Sequence, residues 1–334
     1  MKPIGIALPG AATPAEAGRL AARAEFLGFD AVWALDVRRE PFLTCAAAIA
    51  STSRITVGTN VVVAFARSPT VTATAAWDLT LWSGGRFVLG LGSQVGPTLQ
   101  ARFGVSVERP GPRLRDYVLA VRACFAAFRR GHGRYDGEFY VIRRPAFQPG
   151  SEPDVPEPPI YIAAVNPFMT RIAGQVGDGL AAHPFTTPDY LREVMLPALA
   201  AGAARAERVR PPVLLQLVVA PNRDLAAAQM LVYTVPSYRR VLDHAGQPQR
   251  ADAVLAAAQA GRRLEARTLI DSGYLDLLGI AIGLDQESIQ RALQRWLPLA
   301  DRISLSVPWF GVSHSEQMSL MERLLEQAAP LNAA

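Results

Sequence analysis

Short apolar runs alternate with helix-length segments eight times along this chain, and that alternation limits the fold more than any other feature. Ile4–Leu8 reads as a strand and Pro14–Leu27 as a helix, with Thr13 as its N-cap and Pro14 at its first position. Gly28 ends that helix. The strand Phe29–Ala34, the helix Pro41–Ser51, the valine-rich strand Ile55–Val63 and the helix Thr70–Trp82 follow. Gly84-Gly85 breaks the third helix, and Arg86–Leu91 is the fourth strand. Continuous apolar runs of this kind are expected of parallel strands buried on both faces.

The second half separates a barrel from an open sheet. Arg115–Arg129 is an amphipathic helix, and 148–159 is a proline-rich surface loop. Strands at Ile160–Ala163, Gly179–His183, Val213–Ala220 and Arg302–Val307 alternate with helices at Pro167–Val176, Asp189–Ala206, Gln286–Leu297 and Ser313–Gln327. Eight strand–helix units with no linker between two cores give an α/β class fold, a (β/α)8 TIM barrel spanning 1–334 as one domain. Insertions fall at 96–114, 132–158 and 221–285. The first and third follow strands four and seven, on the face where barrels carry chemistry. The third is mostly helical.

Composition excludes several classes. Half of the 334 residues are hydrophobic and 19% are charged, so the chain can bury a core. The net charge of +5 is modest for a nucleic-acid binder, and no basic stripe with interleaved aromatics occurs. No apolar run reaches membrane-spanning length, and a cytoplasmic location is expected. Cys45 and Cys124 lie in helical patterns without His or Cys at ligand spacing, so they read as buried thiols. The four histidines are too scattered for a metal site. Gly90-Leu91-Gly92-Ser93-Gln94-Val95-Gly96 is GxGxxxG on the fourth strand. This departs from the dinucleotide fingerprint, and its glycines instead allow close approach of a flat ligand or another loop.

Candidate site residues gather at strand ends. Asp36, after strand two, is a ligand contact or a cap for the next helix. His183, at the end of strand six, is a catalytic candidate or a packed loop histidine. Trp33, Trp309 and Phe310 are candidates for the substrate-pocket wall, with core packing the alternative. At Ala163-Ala164-Val165-Asn166-Pro167, exposed N–H groups and the helix dipole make an anion site, to which Arg171 would add charge.

Six segments in order resemble the luciferase-like monooxygenase superfamily of flavin- and deazaflavin-dependent barrels. They are GFDAVWALD (28–36), SRITVGTNVVVAFARSP (53–69), GGRFVLGLGS (84–93), PPIYIAAVNP (158–167), AGQVGDGL (173–180) and ADRISLSVP (300–308). TNVVVAFARSP and HPFTTP look most like a coenzyme F420-dependent oxidoreductase subgroup. The resemblance implies a cis peptide at Asn60–Val61 beneath the ring, ring contacts from Gly92, Ser93 and Gln94, and a cofactor phosphate at Ala164, Val165 and Asn166. Relatives usually carry glycine at position 166, so Asn166 is expected to take a left-handed backbone in its place.

The Asp-His pair of many deazaflavin dehydrogenases is Asp36-Val37 here, and their glutamate after strand four is absent. The resemblance therefore implies hydride transfer between F420 and a small organic substrate, as reduction of a C=C or C=N bond, with Asp36 or His183 as acid. An FMNH2-dependent flavin monooxygenase and a non-catalytic ligand-binding barrel are the alternatives. A homodimer or higher homo-oligomer is the expected assembly, through the helices beside strands two and three.

Overall fold

The computed structural model describes residues 2–144 and 155–333. Eight parallel strands close on themselves: β1 Ile4–Ala7, β2 Ala31–Ala34, β3 Thr56–Thr59, β4 Phe87–Gly92, β5 Ile160–Ala164, β6 Gly179–Ala182, β7 Val213–Ala220 and β8 Arg302–Ser306. Each pairs with the next, and β8 returns to β1 with Ile303 opposite Ile4. Helices α1 Pro14–Phe26, α2 Pro41–Ala50 and α3 Pro69–Ser83 cover the first half of the barrel. The Thr13 cap closes a full capping box, its hydroxyl taking the Glu16 N–H while Glu16 takes the Thr13 N–H. Such a cap is worth about 1 kcal/mol.

The expected third strand, Ile55–Val63, is interrupted. Regular pairing with β2 and β4 stops at Thr59, the Asn60–Val61 peptide is cis, and Val62–Val63 resumes alongside β4. Valine richness signals strand and carries no mark of such a break.

The chain after β4 forms α4 Gly96–Phe103 and α5 Pro110–Arg130, followed by a small hairpin, Tyr135–Asp136 against Val141–Ile142. Part of the proline-rich loop, 148–154, lies outside the described residues. The helix α6 Pro167–Val176 follows β5. After β6, the expected single helix is α7 Pro188–Tyr190, a π turn at Leu191–Met195, and α8 Leu196–Arg205. The helical insertion after β7 runs through α9 Arg223–Val232, α10 Arg239–His244, α11 Pro248–Gln259, α12 Arg263–Leu269 and α13 Ser272–Leu277. Helices α14 Gln286–Trp296 and α15 His314–Ala328 flank β8. Among the described residues no helix is long and apolar enough to cross a membrane.

Two cores result. The larger lies between barrel and helices, and the smaller fills the barrel interior with Ala31, Trp33, Tyr161 and Leu214. Trp33 and Tyr161 stand with ring centroids 6.3 Å apart. A Cβ on Gly5 or Gly58 would strike the Trp33 ring at 2.9 and 2.6 Å, and one on Gly179 would strike Tyr161 at 2.5 Å. The neighbouring strands thus omit side chains where these rings lie. Burying about 200 Å2 of indole is worth up to about 5 kcal/mol. Trp33 therefore plugs the barrel, which corrects its expected place in a substrate wall.

Candidate functional site

At the C-terminal mouth of the barrel a cavity of about 710 Å3 opens, within the range that holds a cofactor-sized ligand. One wall is the break after β3. The Thr59 hydroxyl accepts the Gly90 N–H at 2.8 Å and donates to the Gly90 carbonyl at 2.9 Å, locking β3 to β4. A Cβ on Gly90 would lie 2.0 Å from the Thr59 carbonyl oxygen, and one on Gly92 would lie 2.7 Å from the Val61 side chain. The close approach that these glycines permit is thus to the Thr59–Val61 segment. The Asn60 N–H donates to the Ala34 carbonyl at 2.8 Å, while its side-chain nitrogen is buried without a partner. Ser93 and Gln94 continue this wall. Gln94 sits at φ 57° and its side chain accepts the Val95 N–H, a local hydrogen bond that suits a left-handed turn.

Asp36 lies beneath the rim, its side chain 4% exposed. Arg67 donates to one carboxylate oxygen at 3.1 Å, and Val63 N–H reaches the same oxygen at 3.2 Å. Arg102 donates to the other at 3.1 Å. The next helix is capped by Glu40, whose side chain accepts the Phe42 N–H. Asp36 is therefore an ion-paired clamp between the end of β2, the cis segment and α4.

The opposite wall is aromatic. The His183 ring lies 4.6 Å from the Tyr233 ring and 4.7 Å from that of Tyr238. Its Nδ1 accepts the Phe185 N–H at 3.0 Å, which places the ring proton on Nε2. Burial pushes its pKa down to about 3, so the imidazole is neutral. Gln229 takes the Trp309 and Phe310 main-chain N–H groups at 2.9 and 3.2 Å. The Trp309 indole donates to the Tyr233 hydroxyl at 3.4 Å.

The luciferase-like monooxygenase family model matches residues 3–298. The chain belongs to the luciferase-like monooxygenase family. An uncharacterised protein of Mycobacterium tuberculosis is 40% identical over 247 residues, 70% of this chain and 72% of that one. An F420-dependent glucose-6-phosphate dehydrogenase of Intrasporangium calvum is 27% identical over 305 residues, 79% of this chain and 88% of its own. Among solved structures, the coenzyme F420-dependent tetrahydromethanopterin reductase of Methanopyrus kandleri superposes with a TM-score of 0.76, at 20% identity and over 99% of each chain.

In this luciferase-like barrel Asp36, Asn60, Val61, Gly92, Ser93, Gln94, Ala164, Val165, Asn166, His183 and Trp309 all line the one cavity. Three expected residues do not. Trp33 belongs to the barrel floor. Arg171 is exposed on α6, where its backbone carbonyl faces Gly202 of α8; one helical turn past the N-terminus carries it away from the mouth. Phe310 turns outward, 37% exposed, with its ring 6.2 Å from Trp309. Asn166 is extended, at φ −87°, and caps α6 by accepting the Met169 N–H at 2.9 Å. The expected left-handed backbone is absent because Asn166 serves here as an N-cap.

Nothing in the sequence singled out Tyr233, Tyr238 or Gln216 as cavity residues. Tyr233 and Tyr238 sit in the insertion after strand seven, which is expected on the chemical face, but no local signal picks these two tyrosines out of the 221–285 span. Arg102, in the 102–115 segment whose arginines are expected at the rim to meet an acidic cofactor tail, does line the cavity, where it pairs with Asp36.

Proposed function

We propose that this protein is an F420-dependent oxidoreductase that passes a hydride from the reduced deazaflavin to a small organic substrate, reducing a C=C or C=N bond. The likeness over 79% of the chain to an F420-dependent dehydrogenase supports the cofactor. The residues fit a flat ring: the unpartnered Asn60 amide nitrogen offers a donor, and Val61 supports a face. Ala164, Val165 and the start of α6 would hold the phosphate, beside the positive end of the helix dipole.

The observation that carries the reductive direction is the state of the two ionisable groups suggested for catalysis. An alcohol dehydrogenase needs a base at the hydroxyl. Asp36 is engaged by two arginines, and His183 holds its free proton on Nε2 as a weak base. Reduction asks less. The bound reduced ring supplies a hydride. The acceptor bond takes that hydride at one atom and a solvent proton at the other, while His183 Nε2–H polarises it.

Self-association belongs to the same reading. Leu43 on α2 and Val71 and Trp82 on α3 stand 62%, 59% and 59% exposed, on two helices that pack against each other. Large apolar side chains so placed favour a homodimer or higher homo-oligomer.

The test is titration of the purified chain with oxidised F420 and with FMN, followed by ring fluorescence. Saturable binding of the deazaflavin alone, then turnover of its reduced form with an unsaturated or imine acceptor, is expected. Preference for FMN, with oxygen uptake, would replace this reading by a flavin monooxygenase. Binding of neither would leave a barrel without this chemistry.

A further inference from the structure

The cavity is chemically divided. Its charged lining residues are Asp36, Arg102 and Arg109, from β2 and the segment after β4. Each is ion-paired: Asp36 with Arg67 and Arg102, and Arg109 with Glu138. The wall made by the end of β6, by the turn after α9 and by the end of β8 carries no charged side chain among the described residues. It consists of His183, Tyr233, Val235, Tyr238 and Trp309, with Val232 and other uncharged neighbours. A phosphate or carboxylate against this wall would lose water and gain no counterion. A flat π system, in contrast, meets rings set edge-on and tilted at packing distance.

The same wall carries one oriented donor. The Phe185 N–H occupies His183 Nδ1, so Nε2 bears the proton, and Nε2 has no hydrogen-bond partner among the described residues. A donor without an acceptor in an aromatic, low-dielectric pocket selects a ligand that brings an oxygen or nitrogen lone pair.

Resting on the F420 reading above, the geometry points to an uncharged, planar, conjugated carbonyl compound as the substrate of this cavity, with its carbonyl oxygen on His183 Nε2 and its π system against Tyr233, Tyr238 and Trp309. Sugar phosphates and acidic substrates are rejected because the wall offers them no cation. Polarisation of the carbonyl by the Nε2–H withdraws electrons from the conjugated double bond, the bond that would accept hydride. His183 touches the substrate and does not give up its proton; the proton that completes the reduction comes from solvent.

The experiment uses saturation-transfer NMR with 2-cyclohexen-1-one and glucose 6-phosphate as probes, on the full chain alone and with oxidised F420 present. F420 affinity is measured separately by its own fluorescence. Cyclohexenone is expected to bind in at least one of the two forms and glucose 6-phosphate in neither. His183→Phe should weaken cyclohexenone by about tenfold, while His183→Gln, which keeps a donor, stays within about threefold. Neither should move the F420 affinity.

Binding of glucose 6-phosphate as tight as that of cyclohexenone, no binding of cyclohexenone in either form, or indifference to His183→Phe would overturn the proposal. A chain that binds no F420 but still binds cyclohexenone through His183 would sink the cofactor reading and leave the pocket assignment standing. Should His183→Phe fail to fold, Val235→Arg supplies the second arm: a cation in the uncharged wall is expected to admit cinnamate, which the parent chain excludes. Cinnamate binding equally to both would also overturn it.

Discussion

Arg102 holds Asp36 at two points, donating to its main-chain carbonyl at 2.8 Å and to its carboxylate at 3.1 Å. The contact joins α4, in the insertion after β4, to the end of β2. Arg67 grips the other carboxylate oxygen and reaches on to Glu40 at 2.6 Å. Asp36→Ala would leave both guanidinium groups facing one another across a nearly buried gap. Discounting for the partial exposure of Arg102, the expected loss is about 2–3 kcal/mol by urea unfolding. Asp36→Asn keeps the shape and should lose less. Equal stability of Asp36→Ala and the parent would show that the clamp does not matter.

Acid should expose the state of His183. Its folded pKa of about 3 lies below the ordinary 6.5, so the unfolded chain binds more protons between those values. The associated stability is full above about pH 6.5 and falls as pH drops towards 3, with a slope of at most about 1.4 kcal/mol per pH unit. Glu16 and Glu25, held low by main-chain N–H groups, lose their contribution only as pH falls below 4.5. The difference between the parent and His183→Gln in unfolding curves between pH 4.5 and 6.5 therefore reports this histidine, and the variant's curve should be the flatter. An unchanged slope would place an imidazolium in the native state.

The contact at Gly90 leaves no room for a methyl group. Gly90→Ala would press a Cβ onto the Thr59 carbonyl, where the opposing atom is backbone and cannot swing aside. A loss of about 1–3 kcal/mol is expected, with the Asn60–Val61 wall displaced. Gly96, where an added Cβ meets nothing within 4 Å, is the control for folding. Thermal melts of the two alanine variants should differ by several degrees.

Gln229 is buried and serves as acceptor for two successive main-chain N–H groups. Gln229→Leu removes that acceptor and should cost about 2 kcal/mol. The Trp309 indole, set against the Tyr233 hydroxyl, should report the change as a shift in tryptophan emission. An unshifted spectrum together with unchanged stability would mean that the loop after β8 is held by other contacts.

Trp82→Arg places a charge at an exposed position of α3, where self-association is expected. Sedimentation should show the parent as a dimer or larger and the variant shifted towards monomer. A monomeric parent would end that expectation.

The local signals in this chain were strong wherever structure is local. Thr13-Pro14 begins α1, Gly84 ends α3 in a left-handed conformation, and the apolar runs became eight paired strands, because caps and strand periodicity depend on near neighbours. The mouth of the barrel was legible in outline too, since strand ends in such a barrel converge on one face. What each side chain does there was not legible. Trp33 shares the inward face of β2 with Ala31, but only closure of the barrel brings it against Gly5 and Gly58 of the flanking strands and makes it a plug. Asp36 and His183 were equal as candidate acids in one dimension. In three, arginines 31 and 66 positions away pair the first, while burial and the Phe185 N–H hold the second neutral. Strand and helix follow from the order of residues. Charge state and access follow from which distant groups folding brings within about 4 Å, because desolvation and ion pairing act over that range.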